Sequence, residues 1–319
     1  MKLIIQIPCF NEAETLPDTL GELPREVQGF DIVEWLVIDD GSTDETEKAA
    51  RACGVDHIVS FNGNQGLARA FLAGLDASVR LGADVIVNTD ADNQYVAADI
   101  PNLTAPILAG NADIVIGARP IDEITSFSTA KKFLQKAGSA VVRFVSKTDI
   151  PDAPSGFRAM TREAAMRFNV FNNYTYTLET IIQAGQKSIA VTSVPVRVNR
   201  VSRPSRLVKS IPSYLIKSIV TIVRIFVVYK PFRFFLSIGL ALFCTGLIGG
   251  IRFLIYYFSG DGAGHVQSLI FAAILLGFGF QTMLTAFLAD LLAVNRRLAE
   301  DIQYRIKKLE LQRSPDKLR

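Results

Sequence analysis

Residues 234–251 carry no charge, and neither do residues 266–289. Each run is long enough to cross a hydrocarbon core of about 30 Å as a helix. With 49% of its 319 residues hydrophobic, the chain can bury one large domain and still leave this apolar surplus. A buried hairpin inside a larger soluble domain is the competing reading. It fits poorly, because the runs have little amphipathic character and no further domain follows to cover them. The connecting residues 259–265 lack Lys and Arg, whereas Lys217, Arg224, Lys230 and Arg233 precede the first run and Arg296, Arg297, Arg305, Lys307 and Lys308 follow the second. The positive-inside bias therefore predicts a plasma (inner) membrane hairpin with both chain ends in the cytoplasm. Met1-Lys2 leads into a run broken by Gln6 and Pro8, with no small-residue cleavage site, so no secretory signal is expected and the N-terminal domain should stay cytosolic.

That N-terminal part alternates strand and helix signals. Leu3-Ile4-Ile5-Gln6-Ile7-Pro8 reads as a buried strand, and Ile32-Val33-Glu34-Trp35-Leu36-Val37-Ile38 as a second. Ser42 and Glu45 have the spacing of a capping box opening a helix that runs to about residue 53. A third strand is expected over 57–61. A helix with Leu67, Phe71, Leu75 and Val79 on one face follows, then strands over 84–89 and 113–117. The alternation predicts an α/β domain with a mostly parallel sheet covered on both faces. No Gly-x-Gly-x-x-Gly follows the first strand and no Walker-type Gly-Lys-Ser/Thr occurs, so the dinucleotide and P-loop classes lose their fingerprint. Cys9, Cys53 and Cys244 are scattered, and His57 and His265 are the only histidines, which argues against a disulfide framework, a zinc centre or a Ser-His-Asp triad. The net charge of +3 is small, and no nucleic-acid partner is expected.

Asp90-Ala91-Asp92 carries the chemistry. In α/β sheets ligands bind beyond the carboxyl ends of the strands. Paired carboxylates there can hold a hard divalent cation, with a diphosphate completing the oxygen ligands. Gln94 could add an amide oxygen.

Four segments occur in one order: Ile7-Pro8-Cys9-Phe10-Asn11-Glu12, Val37-Ile38-Asp39-Asp40-Gly41-Ser42-Thr43-Asp44, Asp90-Ala91-Asp92 and Ser155-Gly156-Phe157-Arg158. Together they resemble family 2 glycosyltransferases of the GT-A (Rossmann-like) fold, and more narrowly the membrane-bound polyprenyl-phosphate glycosyltransferases related to dolichyl-phosphate mannose synthase. The resemblance implies inverting transfer of a hexose-type sugar from a UDP- or GDP-sugar to a polyprenyl phosphate, with Mg²⁺ or Mn²⁺. It implies Asp90, Asp92 and Gln94 at the cation, and Pro8, Phe10, Glu12, Asp39, Asp40 and Asp90 around the nucleotide. Asp39 and Asp40 are also candidates for helix-start carboxylates beside Ser42, and Arg69 for either a nucleotide-pocket partner or a surface ion pair. The rival enzyme class is a processive polysaccharide synthase. Its Gln-x-x-Arg-Trp motif is missing, since Trp35 is the only tryptophan and lies in the second strand. A non-catalytic membrane adaptor is the rival from another class.

A lipid monophosphate is already ionised, since its second pKa lies near about 6, so such an acceptor needs positioning and counter-charges rather than a base. Arg119 is the expected phosphate grip, with Lys131 or Lys132 beside it and Arg203 and Arg206 at the membrane side. Asp152 is expected to orient Arg158 or the incoming phosphate. Glu179, in Leu178-Glu179-Thr180, stands where chain-extending relatives carry a carboxylate pair, and is a candidate sugar contact or a first-turn helix residue. The basic stretch beginning at Arg197 reads mainly as membrane adhesion. These expectations divide the chain into a GT-A domain (1–205), juxtamembrane amphipathic helices (206–232), two transmembrane helices (233–294) and a cytoplasmic helical tail (295–319), the tail being a candidate contact in a homo-oligomer.

Overall fold

A computed structural model describes residues 1–120, 138–140, 142–144, 146–168, 176–199, 220, 223–224, 227–260 and 263–313. Two compact units account for the chain: Met1–Ser218 together with Ile302–Arg319, and Ile219–Asp301.

The first unit is built on a sheet of Lys2–Cys9 (β1), Ile32–Asp39 (β2), His57–Ser60 (β3), Val85–Asn88 (β4), Ile114–Ala118 (β5), Arg158–Thr161 (β6) and Val191–Pro195 (β7). The spatial order is β3-β2-β1-β4-β6-β5-β7. β1 is buried from Leu3 through Cys9, which its unbroken apolar run requires of a central strand with both faces covered. In register, Ile5 lies beside Trp35 of β2 and beside Val87 of β4. Every pairing is parallel except those of β6, which runs antiparallel between β4 and β5. The expected alternation of strand and helix missed β6, which begins at Arg158.

Helices Leu16–Glu22 (α1), Thr46–Ala52 (α2), Leu67–Arg80 (α3), Ile100–Leu108 (α4), Arg162–Met166 (α5) and Thr177–Gln186 (α6) complete the unit. α3 buries Phe71, Leu75 and Val79, as its spacing predicts. Gly74 lets this helix sit tightly on the sheet, because a Cβ there would lie 2.7 Å from Ile38 Cδ1. The Ser42–Glu45 capping box does not form. α2 begins one residue after Glu45 without a side-chain cap from it, and Ser42 Oγ instead accepts the Asn11 amide at 2.9 Å. Asp44 takes over the helix start, with Oδ1 accepting the Thr46 amide at 3.1 Å.

The second unit contains Pro231–Phe258 (α7) and most of Val266–Arg313 (α8), whose final turns from Ile302 belong to the first unit. Both helices are long and apolar enough to cross a membrane, and only 11% and 17% of their most apolar windows are buried within the protein. A core hairpin of a soluble domain would be mostly covered, so that reading fails for the described residues. α7 and α8 approach closely at glycines. A Cβ on Gly246 would lie 2.8 Å from the Leu276 backbone nitrogen, and one on Gly279 would lie 2.6 Å from that of Phe243. Most of the expected juxtamembrane helices, 206–232, lie outside the described residues.

Candidate active site

The carboxyl ends of β1, β2, β3 and β4 meet along one edge of the sheet. Backbone and side-chain bonds stitch their loops together. The Asp40 amide donates to Cys9 O at 2.9 Å, and Asn11 Oδ1 accepts the Thr43 amide at 2.8 Å. Asn11 sits in the left-handed region at φ 54°, a conformation asparagine tolerates better than most residues. Glu12 is half-buried, and its amide donates to Thr46 Oγ1 at 2.9 Å. Pro8 is buried at the end of β1, whereas Phe10 is 39% exposed, an aromatic ring left outside the core at the strand end.

Sequence reasoning left open which of Asp39 and Asp40 holds a turn, and the structure shows that both do. Asp39 Oδ1 accepts the Ser42 amide at 3.0 Å. Asp40 accepts the Gln65 amide at 2.7 Å and the Gly66 amide at 2.9 Å, fixing the start of α3. Arg69, one turn into α3, is exposed and makes no ion pair among the described residues.

β4 delivers Asp90 and Asp92 to the same edge. Asp92 Oδ1 accepts the Gln94 amide at 3.2 Å, closing a turn through Asn93, whose φ is 52°. Gln94 O accepts the Asn199 amide at 2.9 Å, so this turn is tied to the chain beyond β7. Asp90 is half-buried by exposure, but its carboxylate is enclosed by protein groups. Burial and then the Asp92 carboxylate push its pKa up to about 7, against the pull of Arg119 and Arg158. Its two oxygens face Gly156, where a Cβ would lie 2.8 and 2.9 Å from them. The buried Asp90 carboxyl, its pKa raised by burial and by Asp92 two residues on, beside a residue that leaves it room, forms with Asp92 a donor set that a divalent cation fits. Among the described residues no third His, Cys, Asp or Glu joins them, a set to which diphosphate oxygens can add ligands.

Below Asp90 lies a buried polar network that sequence reasoning missed. Gln6 Nε2 donates to Asn88 Oδ1 at 2.9 Å, and Asn88 Nδ2 donates to Gly156 O and to Tyr176 Oη, both at 2.9 Å. The Gly156 amide donates to Tyr95 Oη at 3.1 Å. Tyr176 stacks on Phe71 with ring centroids 3.7 Å apart. The available signal was the polar residue in each apolar strand, Gln6 in β1 and Asn88 in β4, because a buried amide needs partners.

Asp152, expected to orient Arg158 or the incoming phosphate, pairs in two-pronged fashion with Arg119, whose Nε lies 2.7 Å and Nη2 2.9 Å from its oxygens. Burial opposes the Arg119 charge, but Tyr95, Asp152 and Asp90 outweigh it and hold the guanidinium above its ordinary pKa. Arg158 is 1% exposed and turned inward. Its Nη1 donates to Thr180 Oγ1 at 2.6 Å, Nη2 donates to Ser155 O, and the guanidinium lies 5.3 Å from the Tyr176 ring centroid. It therefore secures the 153–155 loop and α6 and reaches Asp90 only through its field. Burial lowers its pKa. Glu179 is buried in the first turn of α6, next to Thr180. Arg197, read as a membrane-adhesion residue, is paired instead with the buried Asp99, its Nη2 2.8 Å from Oδ1. Lys131, Lys132, Arg203 and Arg206 lie outside the described residues.

A sequence profile of glycosyl transferase family 2 matches residues 4–168, which takes in the sheet from β1 to β6 and the Asp90–Asp92 edge. The chain belongs to glycosyl transferase family 2. Among its relatives are the undecaprenyl-phosphate mannosyltransferase of Micrococcus luteus, 28% identical over 207 residues covering 61% of this chain and 83% of that one, and the polyprenol monophosphomannose synthase of Mycolicibacterium smegmatis, 28% identical over 61% of this chain and 76% of that one. Glycosyltransferase AglJ of Haloferax volcanii is 28% identical over 313 residues, 96% of this chain and 97% of its own. That last likeness therefore runs through α7 and α8 as well as the enzyme domain. Among solved structures, glucosyl-3-phosphoglycerate synthase from Mycobacterium tuberculosis, in complex with Mn²⁺, UDP and glucosyl-3-phosphoglycerate, superposes with a TM-score of 0.51 at 22% identity, covering 69% of this chain and 79% of that one. At that identity the likeness is one of fold, GT-A.

Proposed function

We propose that this family 2 glycosyltransferase moves a hexose-type sugar from a UDP- or GDP-sugar to a polyprenyl phosphate at the cytoplasmic leaflet, with inversion, giving a lipid-linked monosaccharide. The observation that carries the reading is the juxtaposition at one sheet edge of the Asp90–Asp92 pair with the Arg119–Asp152 pair, in a chain that also holds two long apolar helices. The names of the M. luteus and M. smegmatis relatives supply the acceptor class.

A divalent cation held by Asp90 and Asp92, with Gln94 alongside, supplies charge neutralisation at the departing diphosphate without a proton transfer. The loops after β1, β2 and β3, with Pro8, Phe10, Glu12, Asp39 and Asp40, take the base and ribose. Arg69 remains available to an anionic ligand. Arg119 presents positive charge to the acceptor phosphate, and Asp152, whose two oxygens it engages, sets the direction of its guanidinium. In this reading Asp152 is a positioning group and no side chain serves as a general base, because the nucleophile arrives ionised. Arg158 acts on the loop it braces. The proposed layout keeps 1–205 as the transferase domain and 233–294 as the hairpin.

The test is to give purified full-length protein labelled UDP- and GDP-sugars, Mn²⁺ and a polyprenyl phosphate. A lipid-extractable, mild-acid-labile monosaccharide product is expected. It should be lost with chelator or in Asp92→Ala, and Arg119→Ala should raise the KM for the lipid phosphate more than that for the donor. Polymer formation would replace this reading with the processive one, and transfer to the unphosphorylated polyprenol at equal rate would remove the acceptor assignment.

A further inference from the structure

We propose that Gly156 is a positioning residue of the cation site, clamped against Asp90 by Asn88 and Tyr95, and that it has to be glycine because the carboxylate occupies the space a side chain would need. This rests on the assignment of Asp90 and Asp92 made above. Backbone freedom is not the reason for the glycine, since Gly156 is absent from the glycines with positive φ. Space is the reason. A Cβ would approach Asp90 Oδ1 to 2.8 Å and Oδ2 to 2.9 Å, closer than real Cβ atoms come to a neighbour, and Cγ to 3.2 Å, so the carboxylate would have to shift. The crowding is directed at the group that has to stay free to face a cation.

The Gly156 peptide is fixed from both sides. Its amide donates to Tyr95 Oη at 3.1 Å, and its carbonyl accepts from Asn88 Nδ2 at 2.9 Å. Asn88 lies two residues before Asp90 and Tyr95 three after Asp92, so one segment carries both carboxylates and both clamps. The Asn88 amide has a single workable orientation, because Nδ2 also meets Tyr176 Oη while Oδ1 receives Gln6 Nε2. The Tyr95 ring stacks on Phe157 with centroids 5.0 Å apart, so its hydroxyl cannot swing away without losing that contact. Asn88, Tyr95 and Gly156 are all buried, where such bonds are not exchanged for water. The clamp gives the Asp90 carboxylate a fixed wall and hence one orientation. Changing groups that orient metal ligands commonly costs about 10- to 100-fold in metal affinity.

Mn²⁺ binding is measured on the full-length protein in detergent, by the electron paramagnetic resonance signal of the free ion, with UDP or GDP present. Gly156→Ala and Tyr95→Phe are each expected to weaken Mn²⁺ binding by about tenfold. Tyr95→Phe keeps the ring and its stack and removes only the hydroxyl, so it decides the matter if Gly156→Ala fails to fold. Gly138→Ala, where a Cβ meets open space, is expected to bind as wild type. Wild-type affinity in folded Gly156→Ala and in Tyr95→Phe would overturn the inference while leaving the assignment of Asp90 and Asp92 standing. Failure of the wild type itself to bind Mn²⁺ with either nucleotide would overturn both.

Discussion

Asp90 is held by opposing influences. Burial and Asp92 raise its pKa to about 7, while Arg119 and Arg158 draw it down. A carboxyl whose pKa is higher folded than unfolded, where it is about 3.9, binds more protons in the native state. The metal-free fold therefore loses stability from this group as pH rises from about 4 through about 7, and the loss is complete above that. A cation needs the ionised form, so its binding opposes the proton. The Mn²⁺-dependent rise in Tm, with UDP or GDP present, should be small at pH 5.5, grow through pH 7 and level off by pH 8.5. Asp90→Asn should abolish that rise and, without metal, should melt higher than wild type at pH 8 but not at pH 5. Equal Mn²⁺ shifts at pH 5.5 and 8.5 would contradict the assigned role. At this scale the sequence announces the carboxylates, because two charges straight after an apolar run are conspicuous. It does not announce their supports. Asn88 looks like a strand end and Gln6 like a blemish in a strand, and only the fold brings both to Gly156 and Tyr176. Asp152 lies 33 residues from Arg119, a separation that no local pattern in the sequence links to the pairing. Which cation an aspartate meets depends on β6 reversing direction.

That reversal is the main element the sequence conceals. β1 to β5 are legible because each apolar run is bounded by turn residues and separated by amphipathic helix. β6 is four residues long and begins with an arginine, so its pattern matches no strand template. It is recruited by its neighbours, β4 and β5, whose facing edges need hydrogen-bond partners. Ser42 misled for a related reason: the capping spacing was present, but Asn11 offered a tertiary amide that Ser42 bonds instead. In the hairpin, Gly239 and Gly246 of α7 face α8, whereas Gly250 faces open space. Gly246→Leu should therefore destabilise the hairpin by about 1–3 kcal/mol, the usual cost of overpacking, and Gly250→Leu should change little. Detergent-solubilised unfolding midpoints compare the two, and equal losses would mean that α7 and α8 do not meet at Gly246.

On the scale of the whole molecule, the exposed apolar surface needs a solvent other than water. Ile248, Phe258, Leu292 and their neighbours on α7 and α8 stand 69%, 83% and 68% exposed, and an apolar surface this continuous is a membrane or partner surface. A bilayer imposes a direction that the fold by itself does not. The basic residues lie before α7 and late in α8, and the linker between the helices lacks them, so on the charge bias we propose that the linker lies outside and both chain ends in the cytoplasm. The proposed nucleotide-sugar donor agrees with that direction, since nucleotide sugars are made in the cytosol. A cysteine placed at Ser259 should react with a membrane-impermeant maleimide in intact cells. One placed at Glu45, exposed on the sheet domain, should react only after lysis. Labelling of the Glu45 site in intact cells, with protection at Ser259, would turn the protein over in the membrane and deprive the Asp90–Asp92 edge of its donor.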